Sequence, residues 1–309
     1  MKSEIELLIE EAWANRNTNP QKGVQQLALA DTLLRNAASD PTSSKNFTKH
    51  FAQWQWVQGS YSAQAGKPDE ARTLLLQAVQ TFEHIGDEEL LLYATQVLGK
   101  TEASVGDIPK ALTHFQRALH LAKKTDNQTY VRLSLRNIGL AFADLSDFAS
   151  ALEHLLEALS HYEEISDTDG IASVSNSIGI VYSKTKNFKA AIGYYQKSEK
   201  LWTESKAEKD IARAKSNIGL ALLHLGNLDE AIRTLTQSLE LRERHGDKFG
   251  KALTLLNLGN AYLANGDVKK AKASYHQSLD ITEEIGDKLG KAECLLALGK
   301  LALKASREA

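Results

Sequence analysis

The chain has 309 residues, 42% hydrophobic and 25% charged, the ordinary balance of a folded soluble protein, which excludes a chain disordered throughout. A formal net charge of −2 offers no field for nucleic acid or an anionic membrane. The single cysteine, Cys294, excludes an internal disulfide and fits a reducing compartment, so a cytoplasmic location is expected. Residues 1–20 lack a basic start followed by an apolar run, so no signal peptide is read. No stretch approaches the length of apolar chain that spans a bilayer.

Residues 1–38 read as two helices. Ile5, Leu8, Ile9, Ala12 and Trp13 form one apolar stripe. Asn19-Pro20 ends it and starts the next helix, with proline in the first turn. Leu27, Ala30 and Leu34 carry the apolar face onward. The pair is expected to be a degenerate, capping copy of the repeat that follows. Ser39-Asp40-Pro41-Thr42-Ser43-Ser44 reads as a short polar linker.

From about Asn46 the chain is periodic. Gly59, Gly99, Gly139, Gly179, Gly219, Gly259 and Gly299 recur every 40 residues. Two further ladders run in phase: Ala71, Ala111, Ala151, Ala191, Ala231 and Ala271, then Ala78, Ala118, Ala158, Ser198, Ser238 and Ser278. A fixed period of this length marks a stacked array, in which each repeat buries its core against its neighbours. Each repeat divides into two helices, A and B. In the cleanest one, A spans about Phe249 to Asn265 and B about Val268 to Ile285. Gly66, Gly106, Gly226 and Gly266 stop helix A where a left-handed residue is wanted. Asp107, Asp147, Asn187, Asn227 and Asp267 follow as N-caps for helix B. Loops this short force antiparallel neighbours. A mid-helix glycine costs about 1 kcal/mol relative to alanine, so seven at one phase need a packing reason. Close approach of helix B is the expected one. The fold class is therefore all-α: a solenoid of antiparallel helix pairs with about 15 helices. The degenerate pair occupies 1–38, six repeats occupy 46–287, and a capping helix occupies 288–309.

The repeat has further marks. A bulky residue precedes each ladder glycine (Leu98, Ile138, Ile178, Ile218, Leu258, Leu298). An aromatic often stands three residues after it (Phe142, Tyr182, Tyr262), and helix B carries alanine on either side of a large residue. This pattern resembles the tetratricopeptide repeat over about residues 46–304. The common form has a 34-residue period. The chain is similar to the 40-residue variant of kinesin-light-chain, LGN-type and bacterial Rap-type regulators, and of the N-terminal regions of bacterial signalling proteins. The resemblance implies a right-handed superhelix whose A helices line the concave surface. Departures stand at Ser146 and Lys186, which replace the turn glycine, at Glu199 on helix B, and at Glu102 and Ser62 in place of the aromatic. They predict less regular packing in repeats one, two and four.

No enzyme motif is present: there is no nucleophile elbow, phosphate loop or zinc-protease helix. His114 and His120 face different ways on a helix, and His154 and His161 stand too far apart to chelate. Cys294 reads as a buried small hydrophobe. The resemblance instead implies binding positions at fixed offsets from the ladder glycine. Two residues before it stand Asn137, Ser177, Asn217 and Asn257; three before, Gln96, Arg136, Asn176 and Ser216. Six before stand Tyr93, Leu133, Ser173 and Arg213; one after, Lys100, Leu140, Ile180, Leu220 and Asn260. It further implies that the Asn set grips a peptide backbone, and an amide matches both peptide C=O and N–H. Arg136, Arg213 and Lys100 are expected as anchors for an acidic ligand. Phe188, Tyr182, Tyr194, Tyr195 and Trp202 form either core or a second contact surface.

The expected function is a non-enzymatic module that binds a peptide or partner protein in its groove, with no cofactor, nucleic acid or membrane. The alternative is the sensory part of a larger bacterial signalling enzyme, a cyclase or kinase. The opening Glu11-Ala12-Trp13 and Asn19-Pro20, and a stop inside a repeat, speak for it, and it would place an effector domain downstream. The sequence leaves the partner and the oligomeric state open.

Overall fold

The computed structural model describes residues 3–38 and 44–308, and every regular element in them is a helix. The linker read at 39–44 falls outside the described residues except for Ser44, which opens α3. The degenerate pair is α1 (Glu4–Asn15) and α2 (Pro20–Ala38). The A helices are α3 (Ser44–Gln64), α5 (Glu88–Ser104), α7 (Gln128–Asp144), α9 (Thr168–Lys184), α11 (Glu208–His224), α13 (Lys248–Ala264) and α15 (Lys288–Glu308). The B helices are α4 (Pro68–Ile85), α6 (Ile108–Lys124), α8 (Phe148–Glu164), α10 (Phe188–Glu204), α12 (Leu228–Arg244) and α14 (Val268–Ile285).

The turns follow from local chemistry. Gly66, Gly106, Gly226 and Gly266 take positive φ of 73°, 84°, 80° and 83°. Ser146 and Lys186 take the same left-handed conformation, at 64° and 61°, without glycine's freedom. The carboxylates of Asp107, Asp147 and Asp267 and the amide oxygen of Asn187 each accept the backbone N–H three residues on. Asn227 departs from expectation and makes no side-chain cap. Its carbonyl still accepts the Ala231 N–H at 3.0 Å, so the backbone turn stands without the amide.

The glycine ladder is a row of slots. A Cβ at Gly99 would lie 2.6 Å from the Phe115 ring, one at Gly179 2.5 Å from Tyr195, and one at Gly219 2.6 Å from Leu235. Gly259 meets Tyr275 in the same way. Each glycine thus admits the large residue 16 positions later, on helix B. Gly299 is the exception. Nothing lies within 4 Å of its would-be Cβ, because no helix B follows α15 among the described residues. The packing account therefore fails at that position.

The departures do not loosen the packing as expected. Helices α5 to α13 each keep 17 residues. Glu102, 2% exposed, accepts two bonds from Arg72 of α4, at 2.9 and 2.6 Å. Glu199 on α10 pairs with Lys215 on α11 at 2.7 Å. A charge at each former apolar position is thus met by a partner charge.

The chain forms two compact units, Met1–His154 and Leu155–Ala309. In the first, α3 touches both α1 and α5; in the second, α11 touches α9 and α13, and α13 touches α15. The B pairs α4 and α6, α10 and α12, and α12 and α14 make no comparable contact. Within each unit, then, the A helices line the inner side of the curve.

Candidate functional site

The inner face of the first unit is aromatic and cationic. The Trp13 ring meets Trp56 at 4.3 Å between centroids, Trp56 meets Tyr93 at 5.7 Å, and Tyr93 meets Tyr130 at 4.7 Å. The Tyr93 hydroxyl donates to Glu89. The Arg16 guanidinium lies 3.5 Å from the Trp13 centroid and donates to the Trp13 carbonyl at 2.7 Å. Gln96 is 2% exposed; its Oε1 accepts from Ser134 at 3.3 Å, while its buried Nε2 has no partner. Asn137 is 6% exposed and its Nδ2 is likewise buried without a partner. Arg136 and Leu140 are half-buried.

Lys100 is exposed as a residue and lines a cavity. Desolvation there, then Arg136 and Arg16, hold its pKa down to about 8. The cavity has a volume of about 350 Å³ and is lined by Trp13, Arg16, Gln96, Lys100, Tyr130 and Leu133, among others. Sequence reasoning had placed Lys100, Gln96 and Leu133 at ligand positions. It missed Trp13, Arg16 and Tyr130. A signal for two of them existed: Trp13 and Arg16 lie six and three residues before Asn19, which is 40 residues before Gly59. The ladder extends one step further back with asparagine in place of glycine.

In the second unit the amides come together. The Asn217 Nδ2 donates to the Asn176 Oδ1 at 3.0 Å, joining α11 to α9. Asn176 is 5% exposed and Asn217 is half-buried. Asn257, 7% exposed, and the exposed Asn260 line a cavity of about 400 Å³ with Leu253, Leu256, Leu296 and Lys300. The Asn260 Oδ1 accepts from the Tyr275 hydroxyl at 2.8 Å. Arg213 is occupied within the chain: it pairs with Asp210 at 2.7 Å and lies 4.9 Å over the Trp202 ring. Ile180 packs against the core of Ala191, Tyr195 and Ile218, and Leu220 is half-buried.

Of the repeat-four aromatics two are core, and the other three are half-buried. Tyr195 and Trp202 are each 3% exposed. Tyr182 stacks on Tyr194, and Phe188 on His224, all of them half-buried or flanking the helices' own turns. Cys294 is fully buried; its thiol donates to Ser278 Oγ at 3.1 Å, and burial pushes its pKa up. Among the described residues no helix is long and apolar enough to cross a membrane, and no three His, Cys, Asp or Glu gather as metal ligands.

A family model described as tetratricopeptide repeat matches residues 130–204, 210–284 and 250–309, more than half of the chain. No curated protein matches in sequence. Similar solved structures share the fold at low identity. A Rap protein complexed with competence and sporulation factor has a TM-score of 0.70 and 12% identity, covering 99% of this chain and 87% of that one. NprR in complex with its cognate peptide NprX has a TM-score of 0.64 and 13% identity, covering 96% and 83%. Aspartyl phosphate phosphatase F from Bacillus subtilis has a TM-score of 0.68 and 14% identity, covering 93% and 71%.

Proposed function

Because the chain belongs to the tetratricopeptide repeat family, we propose that it is a non-enzymatic cytoplasmic module whose A helices hold a peptide or a partner protein. In this reading the helix pair at 1–38 and the helix at 288–309 cap six repeats at 46–287. The observation that carries it is the amide contact between Asn217 and Asn176, which joins polar groups of two successive A helices. Such amides offer donors and acceptors to an extended backbone without reading its side chains. Asn257 and Asn260 add two more beside apolar residues that could seat a ligand side chain. Lys100 and Arg136 are the basic groups of the same inner face. Arg213, tied to Asp210, serves less well as an anchor.

A peptide as ligand class is supported by the likeness of the fold to NprR in complex with its cognate peptide NprX. The phosphatase named above belongs to its own chain; at 14% identity it lends this one a fold and no reaction.

The test is a selection of displayed peptides against the folded chain, followed by titration of the recovered peptides. Asn217→Ala with Asn260→Ala should weaken binding by about tenfold or more, the worth of one or two good hydrogen bonds, while the chain still melts cooperatively, lowered only by the lost bonds to Asn176 and Tyr275. Equal binding by the double variant, or no peptide recovered, overturns the proposal.

A further inference from the structure

The cavity of the first unit is chemically one-sided, and this assigns it a ligand. We propose that it is a binding site for a small amphipathic carboxylate, with the acid group at Lys100, Arg16 and Gln96 and the apolar body against Trp13 and Leu133.

The site is made by four inner-face segments: the residue that closes α1, then α3, α5 and α7. Its polar groups are rich in donors. Arg16 and Lys100 are cationic at neutral pH, and Tyr130 and Gln96 line the same cavity. No aspartate or glutamate lines it. This is unusual for a chain whose cations are so often matched: Lys110, Lys124, Lys197, Lys215 and Lys248 all hold carboxylates. Lys100 holds none among the described residues, and the charges that act on it are those of Arg136 and Arg16. Lys100 and Arg16 thus line one cavity with no carboxylate in its wall, a repulsion that an anion relieves.

A second observation is independent of charge. Gln96 is 2% exposed, lines the cavity, and leaves Nε2 with no acceptor. A buried donor without a partner is uncommon and calls for an acceptor that the chain itself does not supply. A carboxylate has two oxygens and can take the Gln96 donor and an ammonium or guanidinium together. The Trp13 ring, Ala63, Val97 and Leu133 supply apolar wall, and Asn17, Ser60, Gln64, Thr101 and Ser104 add uncharged polar groups. At about 350 Å³ the space fits a molecule the size of an acylated amino acid, and excludes a folded partner. The same chemistry has two sources, a free carboxylic acid or the C-terminal residue of a peptide.

The site shares Lys100 and Gln96 with the inner face invoked above, but it does not rest on the amides of the second unit. Isothermal titration of the full chain should use four probes: N-acetylphenylalanine, its amide, a hexapeptide ending in phenylalanine as the free acid, and the same peptide amidated. At least one acid should bind about tenfold more tightly than its amide, the worth of a charge-assisted hydrogen bond. Binding by N-acetylphenylalanine identifies a free acid as sufficient; binding by the peptide acid alone identifies a chain terminus. Lys100→Met should abolish the acid preference without lowering the thermal melt, since Lys100 holds no ion pair among the described residues that the substitution would remove. Leu133→Trp should block binding while leaving every donor in place. Asn217→Ala should leave acid binding unchanged. Acid and amide binding equally, no binding by any probe up to millimolar concentration, or Lys100→Met retaining the preference each overturn the proposal. Loss with Asn217→Ala and not with Lys100→Met would instead place the ligand on those amides and sink this site alone.

Discussion

The hydroxyl of Ser238 on α12 donates to the backbone carbonyl of Ala212 on α11 at 2.6 Å. Ser198 does the same to Ala172 at 2.8 Å, and Ser278 to Ala252 at 2.7 Å. These three bonds stitch B to A at one phase of the repeat. All are buried. In the first unit the same phase holds Ala78 and Ala118, which pack without a hydroxyl. Ser238→Ala should therefore fold normally and lose about 1–2 kcal/mol in urea denaturation, since Ser238 Oγ also accepts a long bond from Arg242 Nε at 3.4 Å. The Ala212 carbonyl stays within its helix, so no large penalty is expected.

Gly259 and Gly299 make a matched pair with opposite signs. Alanine at Gly259 drives a methyl into the Tyr275 ring and should cost about 1–3 kcal/mol, despite its better helix propensity. Alanine at Gly299 meets nothing and should stabilise α15 by up to about 1 kcal/mol. Thermal melts of both variants decide whether the slots explain the ladder.

Lys186 holds a φ of 61°, a conformation that a side chain pays for and glycine does not. Lys186→Gly should raise stability by about 1 kcal/mol. Lys186→Ala, which keeps the Cβ, should give no such gain. Chemical denaturation of the two variants separates backbone strain from loss of the lysine charge.

Arg72 and Glu102 test the departure in repeat two. The Glu102 side chain is 3% exposed and Arg72 is 32% exposed. Arg72→Met strands the carboxylate and should cost about 3 kcal/mol. Arg72→Met with Glu102→Leu should recover most of that loss, because the position then returns to the apolar pattern of the other repeats. A double-mutant cycle by calorimetry reads the difference.

The pH dependence follows from Lys100. Its pKa falls from 10.5 to about 8 in the folded chain. A lowered lysine pKa penalises the folded state while the group is charged in both states. The penalty is complete below about pH 8 and is relieved as pH rises toward 10.5. Lys100→Met should thus stabilise the chain most at neutral pH, with the gap closing in alkali. Carboxylate affinity should fall as pH rises through the same range. The neighbours facing Lys100 do not titrate there: Arg16 and Arg136 stay charged, and burial holds Tyr130 above its ordinary value.

The fold was readable because its determinants are local and repeated. Gly66 and Asp107 announce a turn and a cap wherever they stand, and Gly99 needs only Phe115, 16 residues on, to explain it. The site was less readable because its contacts join different repeats. That Arg213 is taken by Asp210 and Trp202, or that Asn217 reaches Asn176, depends on rotamers and on how neighbouring helices lean. Asn227 shows the limit even locally, since a suitable residue at a cap position did not turn its amide to the helix. Arg16 was overlooked for a different reason: the period was traced through glycine, and Asn19 hid its first step.

The slot at each ladder glycine also constrains how the gene for such a chain can change length. Duplicating or losing one whole period returns every large B-helix residue to a waiting glycine. A deletion of any other length breaks the repeat in which it falls, where a glycine or its partner is lost or displaced. Arrays of this kind are therefore free to lengthen or shorten by entire periods, and their count of repeats can drift without a new core being invented.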